Sequence, residues 1–538
     1  MRNICGFLLL AALPAGALAQ TSTPIDQNRV DRTPAPSVEV PKAPISSPAA
    51  ATKVDAGDET APPIRNILFE GSDVPQIVAQ AAERFIGQAA TRANLQALAA
   101  AMSDAYGRSP VALFTIAIPD QDLSAGDVRV LVAEGHVEAV VLSGEVEGRE
   151  LKRVRRYADR LTRERPTSRR TLERYLSLIQ DIPGLKVQSE LQMGEGPGGV
   201  RLILKLDYQR PTLSFAFDNR TTRLVDDGQF HATARGYQLL REGDETQING
   251  TASVDFNDLL FVGLSHSTPI GHEGTRLALN AGFLRTRPDG SDRSGEARSA
   301  GITLSHPLIR SYRRNLTVSL ALDGLNSENA AFGSLISTER SRAIRLAGAY
   351  AQASPRRIVS AGLTASKGIR IFDADVPAAI GDATFFKVNG RGTLDQAIGK
   401  QAAVRLRANG QWTKDPLPAV ERFAVGGASV GRAFEVGLIN ADRGLGGLAE
   451  LAWRPIRSGK LATSELYGFA DYAAVRLLRR PGFDGRNFDL ASAGVGGRLG
   501  WTDKAMIEVE FAHVLDDPFV GYDEDWRLSL SWRLNLRP

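Results

Sequence analysis

The C-terminal stretch Trp526-Arg-Leu-Ser-Leu-Ser-Trp-Arg-Leu-Asn-Leu536 alternates apolar and polar side chains along its whole length. Successive side chains of an extended strand point to opposite faces, so this pattern predicts a β-strand with one apolar and one polar face. The same alternation recurs at Leu213–Phe217, Leu316–Asp323 and Val404–Asn409. The sequence after Pro211 therefore predicts a large region built almost entirely of strands.

The length of this β region indicates how many strands it holds. Subtracting the first 210 residues from 538 leaves 328. Sixteen strands would use about 20 residues each with their loops, whereas eight would leave about 41 and require unusually long connections. After the N-terminus no run of eighteen apolar residues occurs. We therefore predict a transmembrane antiparallel β-barrel of sixteen strands over 211–538, with a soluble β-sandwich or a secreted adhesin as the alternative.

The N-terminus predicts export. Residues 1–19 begin with Arg2, continue with an apolar stretch and end in Ala17-Leu18-Ala19, which is typical of a signal peptide cleaved before Gln20. Cleavage removes Cys5, the one cysteine of the chain, so no disulfide framework or multi-cysteine metal site is predicted. Residues 20–63 contain eight prolines and no apolar periodicity, which predicts a disordered or extended linker. The formal net charge of +4 does not indicate nucleic acid as a partner.

Between the linker and the β region, one pattern occurs twice. Residues 64–136 predict a strand, two helices and two strands, with Thr91 as a plausible N-cap of the second helix. Residues 137–210 repeat the same order. Two copies of one topology in tandem indicate a pair of small α/β domains.

These domains resemble a known family. The stretch Gly126-Asp-Val-Arg-Val-Leu-Val-Ala-Glu-Gly135, continued by His136–Gly144, resembles the junction between the two POTRA domains of two-partner secretion transporters, the TpsB family. Ile182-Pro-Gly184 and Gly198-Gly-Val200 are similar to the second POTRA domain of that family. The resemblance implies periplasmic POTRA domains whose sheet edges take an extended client chain as an added strand. Two generic periplasmic α/β domains are the alternative.

A basic stretch runs through the second domain, with nine lysines and arginines between Lys152 and Arg170. An acidic client or membrane head groups are its possible partners. A solvated helix face is the simpler interpretation, because a run of charges on a helix is usually exposed to water.

The most informative stretch of the β region is the Gly-rich segment Phe423–Gly444. It resembles the inward-folded sixth extracellular loop of TpsB transporters and related insertases, here near 423–446. Their V-R-G-Y/F tip corresponds to Arg432-Ala433-Phe434, and Tyr467–Tyr472 resembles their F-x-D-x-G strand. The loop-turn residues that this resemblance implies are Gly426, Gly427, Gly431, Asp442 and Gly444.

The resemblance also implies how this loop is held. Arg432 would pair with Asp471 on the inner barrel wall, and Phe434 would belong to the same contact. A bidentate pair in a partly dry lumen would fix one loop geometry and still break when a client enters. An exposed ion pair of little consequence is the alternative.

The same loop contains a formal G-x-S-x-G nucleophile motif at Gly427–Gly431. A catalytic serine of this kind needs a strand before it, a helix after it and a histidine downstream. The segment is Gly-rich on both sides of Ser429, and the one later histidine is His513. We therefore predict no enzymatic activity, no catalytic residue, no metal and no cofactor.

Taken with the resemblance, these features predict an outer-membrane translocator for two-partner secretion, with its POTRA domains in the periplasm. Its partners would be a large secreted TpsA-like exoprotein bound as an extended chain, outer-membrane lipids, and the barrel-assembly machinery that inserts it. We predict a monomer without nucleic acid. The alternatives are an outer-membrane insertase that assembles other barrels and a passive porin or adhesin barrel.

Overall fold

The computed structural model of the protein describes residues 40–42, 51–57, 61–144, 151–196, 198–222, 225 and 227–536. The predicted signal peptide and much of the predicted linker lie outside these ranges. Within them, no helix combines the length and the apolar character needed to cross a membrane.

The first α/β unit packs two helices against a four-stranded sheet of order β1-β3-β4-β2. Its strands are β1 (Ala51–Val54), β2 (Asn66–Gly71), β3 (Phe114–Ile118) and β4 (Asp127–Glu134), and its helices are α1 (Gln76–Glu83) and α2 (Arg92–Arg108). As the sequence predicts, Thr91 caps α2 and its side chain accepts a hydrogen bond from the N–H of Asn94. The core forms because alternate residues of β4, such as Val128 and Val130, meet the apolar stripe of α2.

Strand β1 lies inside the range 20–63 that the sequence assigns to a linker. Its backbone pairs in parallel with β3, from Ala51 beside Thr115 to Val54 beside Ile118. The first folded unit therefore starts before residue 64. The four residues of β1 show no alternation of their own, and they become a strand because β3 presents an unpaired edge only once the sheet has folded.

The second unit repeats the order of the first, which confirms the predicted internal repeat. It comprises β5 (His136–Ser143), α3 (Lys152–Leu161), α4 (Arg169–Gln180), β6 (Leu185–Met193) and β7 (Gly199–Tyr208). The sheet order is β5-β7-β6, with β5 parallel and β6 antiparallel to the central strand. In the first unit β4 takes the same central position between a parallel β2 and an antiparallel β3.

The β region closes into an antiparallel barrel of sixteen strands, as predicted. The strands are β8 (Thr212–Asp218), β9 (Gln229–Tyr237), β10 (Glu245–Ser253), β11 (Leu259–Ile270), β12 (Thr275–Thr286), β13 (Arg293–Arg310), β14 (Arg314–Ala331), β15 (Ser334–Ser354), β16 (Arg357–Gly368), β17 (Phe386–Ile398), β18 (Ala402–Thr413), β21 (Arg443–Trp453), β22 (Glu465–Leu477), β23 (Arg486–Trp501), β24 (Ala505–Asp516) and β25 (Trp526–Leu536). The short strands β19 (Phe423–Val425) and β20 (Ile439–Ala441) pair with each other inside the connection between β18 and β21. Pairing of β25 with β8 closes the barrel.

The alternation seen in the sequence separates the lipid side from the lumen side of the wall. In β25 the side chains of Leu528 and Leu530 are 60% and 41% exposed, whereas Ser529 between them is 3% exposed. Apolar residues therefore face outward and polar residues face inward, the arrangement that a membrane barrel requires. Trp412, Trp453, Trp501 and Trp526 are about half exposed on the outer surface.

The second α/β unit sits on the turns at one end of the barrel, which we call the periplasmic end because the resemblance implies periplasmic POTRA domains. The N–H of Arg153 at the start of α3 donates to both carboxylate oxygens of Glu242 in the β9–β10 turn, at 3.0 and 2.9 Å. The hydroxyl of Tyr175 donates to Glu273 in the β11–β12 turn at 3.1 Å. Loops at the other end of the barrel, including the β18–β21 connection, are therefore extracellular.

This docking gives part of the basic stretch 152–170 a structural role. The Arg153, Arg156 and Arg160 side chains contact Gly271, His272 and Glu273 of the β11–β12 turn. Arg169 instead donates to three backbone carbonyls of the first unit. These four arginines join the two α/β units and the barrel, a use that the sequence alone did not suggest.

Candidate functional site

The connection between β18 and β21, residues 414–442, folds into the lumen, and we call it the inner loop. Residues 430–434 of its tip are buried: Ala433 and Phe434 are 0% exposed and Val430 is 2% exposed. These side chains share one apolar cluster with inward-facing wall residues such as Phe469 and Leu490. The loop therefore carries its own core against the barrel wall.

The Arg432 guanidinium pairs with two glutamates of the wall. Its Nη1 atom lies 2.9 Å from Glu510 in β24 and 3.2 Å from Glu450 in β21. The guanidinium carbon lies 4.7 Å from the ring centroid of Phe469, in a cation–π contact. Arg432 is 3% exposed, so these contacts are shielded from water.

The predicted bidentate pair between Arg432 and Asp471 is wrong. The Asp471 carboxylate accepts hydrogen bonds from the backbone N–H groups of Gly431 and Arg432, at 2.9 and 3.1 Å, and from the Ser492 hydroxyl at 2.8 Å. The tip of the inner loop passes directly over Asp471, so its main chain satisfies the carboxylate while the long Arg432 side chain reaches farther. Asp471 therefore contacts the loop tip at the predicted place, but it bonds to the main chain of the tip and not to the Arg432 guanidinium.

The two glutamates that hold Arg432 belong to a larger charged network inside the wall. Glu450 also pairs with Arg405 at 2.6 Å and with Arg498 at 2.9 Å. Glu510 also pairs with Arg220 at 2.7 Å. Each buried carboxylate thus faces more than one cation, which offsets the cost of removing its charge from water. The network further includes Glu465, Glu508 and the hydroxyl of Tyr467.

The glycines of the inner loop allow its turns. Gly426, Gly427 and Gly431 have φ values of +101°, +99° and +77°. A Cβ atom on Gly426 would collide with the carbonyl oxygen of Glu435. Other residue types rarely adopt this backbone region, so the tip needs glycine here.

Gly444 is not a loop residue, contrary to the sequence prediction. It lies in β21, where it pairs with Gln411 on one side and Val475 on the other. The ring of Phe423 occupies the space that a Cβ on Gly444 would need. The glycine therefore lets the Phe423 ring of the inner loop pack directly against the wall, and it does not form a turn.

Asp442 fastens the end of the inner loop to the start of the same loop and to the β22–β23 connection. Its carboxylate accepts from the N–H of Leu417 at 2.7 Å and from that of Leu478 at 2.6 Å. It also pairs with Arg480 in the β22–β23 connection at 2.5 Å. Phe434 packs against Tyr522 in the β24–β25 connection, with ring centroids 5.5 Å apart.

The start of the inner loop has an attachment that the sequence did not reveal. Glu421, in a short 3-10 helix at Ala419–Glu421, pairs with Arg345 in β15 at 2.7 Å and with Lys387 in β17 at 2.8 Å. Burial alone would raise the pKa of Glu421, but the two cations hold that pKa well below its usual range. Charged residues on the polar face of barrel strands are common, so nothing in the pattern distinguished Arg345 or Lys387.

Ser429 lies between β19 and β20, in the exposed part of the loop tip. Neither a strand directly before it nor a helix after it is present in this part of the described chain. The formal G-x-S-x-G match therefore lacks the strand–turn–helix geometry of a nucleophile elbow.

Comparisons with known proteins agree with this architecture. A family model described as haemolysin secretion/activation protein ShlB/FhaC/HecB matches residues 198–499, more than half of the chain. The heme/hemopexin transporter protein HuxB of Haemophilus influenzae is 22% identical over 468 residues, which cover 82% of this chain and 81% of HuxB. The fold of this chain is similar to that of CdiB from Escherichia coli, with a TM-score of 0.68 at 17% identity, and the match covers 92% of this chain and 94% of CdiB. CdiB from Acinetobacter baumannii gives a TM-score of 0.61 at 16% identity, covering 93% and 95%. The chain belongs to the ShlB/FhaC/HecB family of haemolysin secretion/activation proteins and is an outer-membrane translocator for two-partner secretion, with its POTRA domains in the periplasm.

Proposed function

We propose that the inner loop is the gate through which the exported partner must pass. The observation that supports this proposal is the buried ion pairing of Arg432 with Glu450 and Glu510 at the loop tip. At its start the same loop is attached to β15 and β17 through Glu421. The loop thus has ionic attachments to two separate parts of the wall.

Ionic attachments suit a gate because they can be exchanged. The charged groups of the network can rebind water or a client's own charged and polar groups when the tip leaves the wall. Removing one partner of a buried pair typically costs about 3–5 kcal/mol, enough to keep the loop in place until a client competes. None of these residues performs covalent chemistry in the proposal, and no enzymatic activity is part of it.

The POTRA domains would capture the client before it reaches this gate. In the first unit β1 and β2 are the outer strands, and in the second unit β5 and β6 are. An extended chain can add to such an edge through main-chain hydrogen bonds, which place few demands on its sequence. The client of the proposal is accordingly a large TpsA-like exoprotein held unfolded in the periplasm.

The remaining partners follow from the barrel itself. Its apolar outer face would be covered by outer-membrane lipid, and the barrel-assembly machinery would insert it. We also take the protein to be a monomer; closure of the barrel removes strand pairing between two barrels as a route to a dimer.

Deleting the gene tests export against the two alternatives. The proposal expects one large exoprotein to disappear from the culture medium while other outer-membrane proteins keep their normal amounts, measured by quantitative proteomics of both fractions. A general loss of outer-membrane proteins would instead identify an insertase. An unchanged medium with altered uptake of small solutes would identify a porin.

Complementation with loop variants then tests the gate. The Arg432→Ala variant should restore the barrel to the membrane but release less exoprotein than the wild type, because a tip that is displaced from the wall lies in the path of the client. Arg314→Ala is a matched control, because this exposed arginine lies at the periplasmic end of β14, away from the inner loop. Equal secretion by Arg432→Ala and the wild type would contradict the gate while leaving the export function intact.

A further inference from the structure

On the outer face of β12–β15, the outward-pointing side chains change in character toward the extracellular end of the strands. Cross-strand pairing aligns Leu277 with Leu304, and two residues farther out Leu279 with Ile302. The next outward step contains small residues, Ala281 beside Ala300. Basic and amide side chains come after the small ones: Arg298 and Asn326 on one step, with Arg340 beside them. The surface therefore changes from apolar to basic within a few residues.

This change falls at the expected edge of the hydrocarbon layer. On β13 the outward-facing residues between Leu308 and Ala300 span eight positions. At about 3.4 Å per residue and about 40° of strand tilt this is about 21 Å along the barrel axis. Outer-membrane barrels have an apolar band about 25 Å tall, so the arginines lie at the head-group level of the outer leaflet.

A cavity of about 600 Å³ opens at this boundary. Its apolar lining includes Leu279, Ile302 and Leu322, and its polar lining includes Arg298 and Arg342. Small residues create the hollow, since Ala300 and Gly324 lie opposite each other on β13 and β14. The exposed ring of Phe372, from the β16–β17 connection, borders it on the outside.

The two arginines of the cavity differ in their hydrogen bonds and in their exposure to solvent. Arg342 lies across Gly324, and its two Nη atoms make four hydrogen bonds of 2.8–3.1 Å that hold the guanidinium in one position. The acceptors are the carbonyl oxygens of Leu325, Ser341 and Phe372 and the amide oxygen of Asn326. The Arg298 side chain is 75% exposed, and its ion pair with Glu296 is loose at 3.9 Å. Arg298 is therefore available to an anion in the cavity, with Arg342 fixed beside it.

We propose that this cavity binds a phosphorylated glycolipid of the outer leaflet. The lipid's acyl chains would lie against the leucine and isoleucine steps, and a phosphate group would lie between Arg298 and Arg342. The Arg298 guanidinium can match phosphate through two parallel hydrogen bonds, and it loses less hydration than an ammonium group. Arg342, whose Nη donors are occupied, contributes its positive charge. The occupant follows from position: the apolar lining is continuous with the lipid-covered outer face, and the basic groups lie where lipid phosphates lie.

The glutamates of this region do not occupy the same level. Glu296 on β13 and Glu328 on β14 are cross-strand neighbours, two residues farther out than Arg298 and Asn326. Asp373 and Asp375 belong to the β16–β17 connection, where Asp375 bridges the backbone of Arg340. The carboxylates therefore lie at or beyond the edge of the cavity, and the groups that line it with charge are Arg298, Arg342 and, farther inside the wall, Asp323.

Native mass spectrometry of the purified full-length protein in detergent, titrated with diphosphoryl lipid A, tests the site. Arg298→Glu should weaken binding by about tenfold, because one cation is lost and one anion gained at the phosphate level. Arg342→Gln should weaken it as well. Arg314→Glu, on the same hairpin but at the periplasmic end, should bind as the wild type does. Lipid A without its phosphates should bind about as weakly to the wild type as intact lipid A binds to Arg298→Glu.

Several results would overturn the proposal. One is unchanged binding to Arg298→Glu, and another is equal binding of the phosphate-free lipid, which would leave only an apolar groove. Equal loss in Arg314→Glu would show a general charge effect. Displacement by millimolar inorganic phosphate would assign the site to a free anion. Heat-modifiable migration on gels verifies that each variant is folded. If Arg342→Gln fails to fold, binding to Arg298→Glu alone tests the proposal.

Discussion

Replacing Arg432 by alanine should release the tip of the inner loop from the barrel wall. The side chain makes ion pairs with Glu510 at 2.9 Å and Glu450 at 3.2 Å and is 3% exposed. Both carboxylates keep other cations, Arg220 for Glu510 and Arg405 for Glu450. The loss therefore belongs at the lower end of the range for a broken buried pair, about 3 kcal/mol, which corresponds to a shift of about 150-fold toward the displaced loop.

Single-channel recording in planar lipid bilayers measures this shift as the ratio of open to closed time. The structure also predicts which partner couples to Arg432. A double-mutant cycle of Arg432→Ala with Glu510→Gln should show a coupling energy of about 1–2 kcal/mol, because each change removes the same contact. The cycle with Asp471→Asn should be additive within about 0.5 kcal/mol, because Asp471 accepts from backbone N–H groups that Arg432→Ala leaves in place.

The opposite ranking would refute this reasoning. If Asp471→Asn coupled strongly to Arg432→Ala while Glu510→Gln did not, the guanidinium would pair with Asp471 in the membrane. An unchanged open-to-closed ratio in Arg432→Ala would show that the tip contributes nothing to closure.

Further outcomes follow from contacts at three other sites. Glu421→Gln should make the start of the inner loop more sensitive to protease added to whole cells at neutral pH. Because the pKa of Glu421 is held below its usual value, the wild-type attachment should persist as the pH falls through about 4.5 and fail only in stronger acid, as followed by the same cleavage assay. Glu242→Ala removes the acceptor of the first N–H groups of α3, a cap worth about 1–2 kcal/mol, so amide exchange in that turn should quicken about 5- to 30-fold by mass spectrometry. Gly426→Ala should increase cleavage of the inner loop because φ there is +101°, whereas Gly392→Ala, whose Cβ would lie an ordinary 3.9 Å from the nearest atom, should not.

Much of the architecture was predictable because it depends on local patterns. Alternation such as that at Trp526–Leu536 identifies strands wherever one face meets lipid, and the length of the region sets their number. The repeated order of strands and helices identified both α/β units. The strand at Ala51–Val54 was missed because its pairing depends on a sheet edge that exists only in the folded unit.

The site was predictable in its location but not in its contacts. Family resemblance pointed to the loop tip at Arg432 and to Asp471, and the structure brings both together. It could not show that the main chain, and not the guanidinium, meets Asp471. It also missed Glu421, whose partners come from strands that precede it by more than thirty residues.

The alternation of side chains specifies strands, their two faces and therefore a wall between lipid and lumen, because each choice depends only on neighbouring residues. Which charges meet inside that wall depends on how sixteen strands are staggered when the barrel closes. Arg432 in the inner loop, Glu450 in β21 and Glu510 in β24 become neighbours only through that closure. Coulomb interactions act between atoms in space, so the pairing that holds the gate is a property of the folded barrel and not of any one segment.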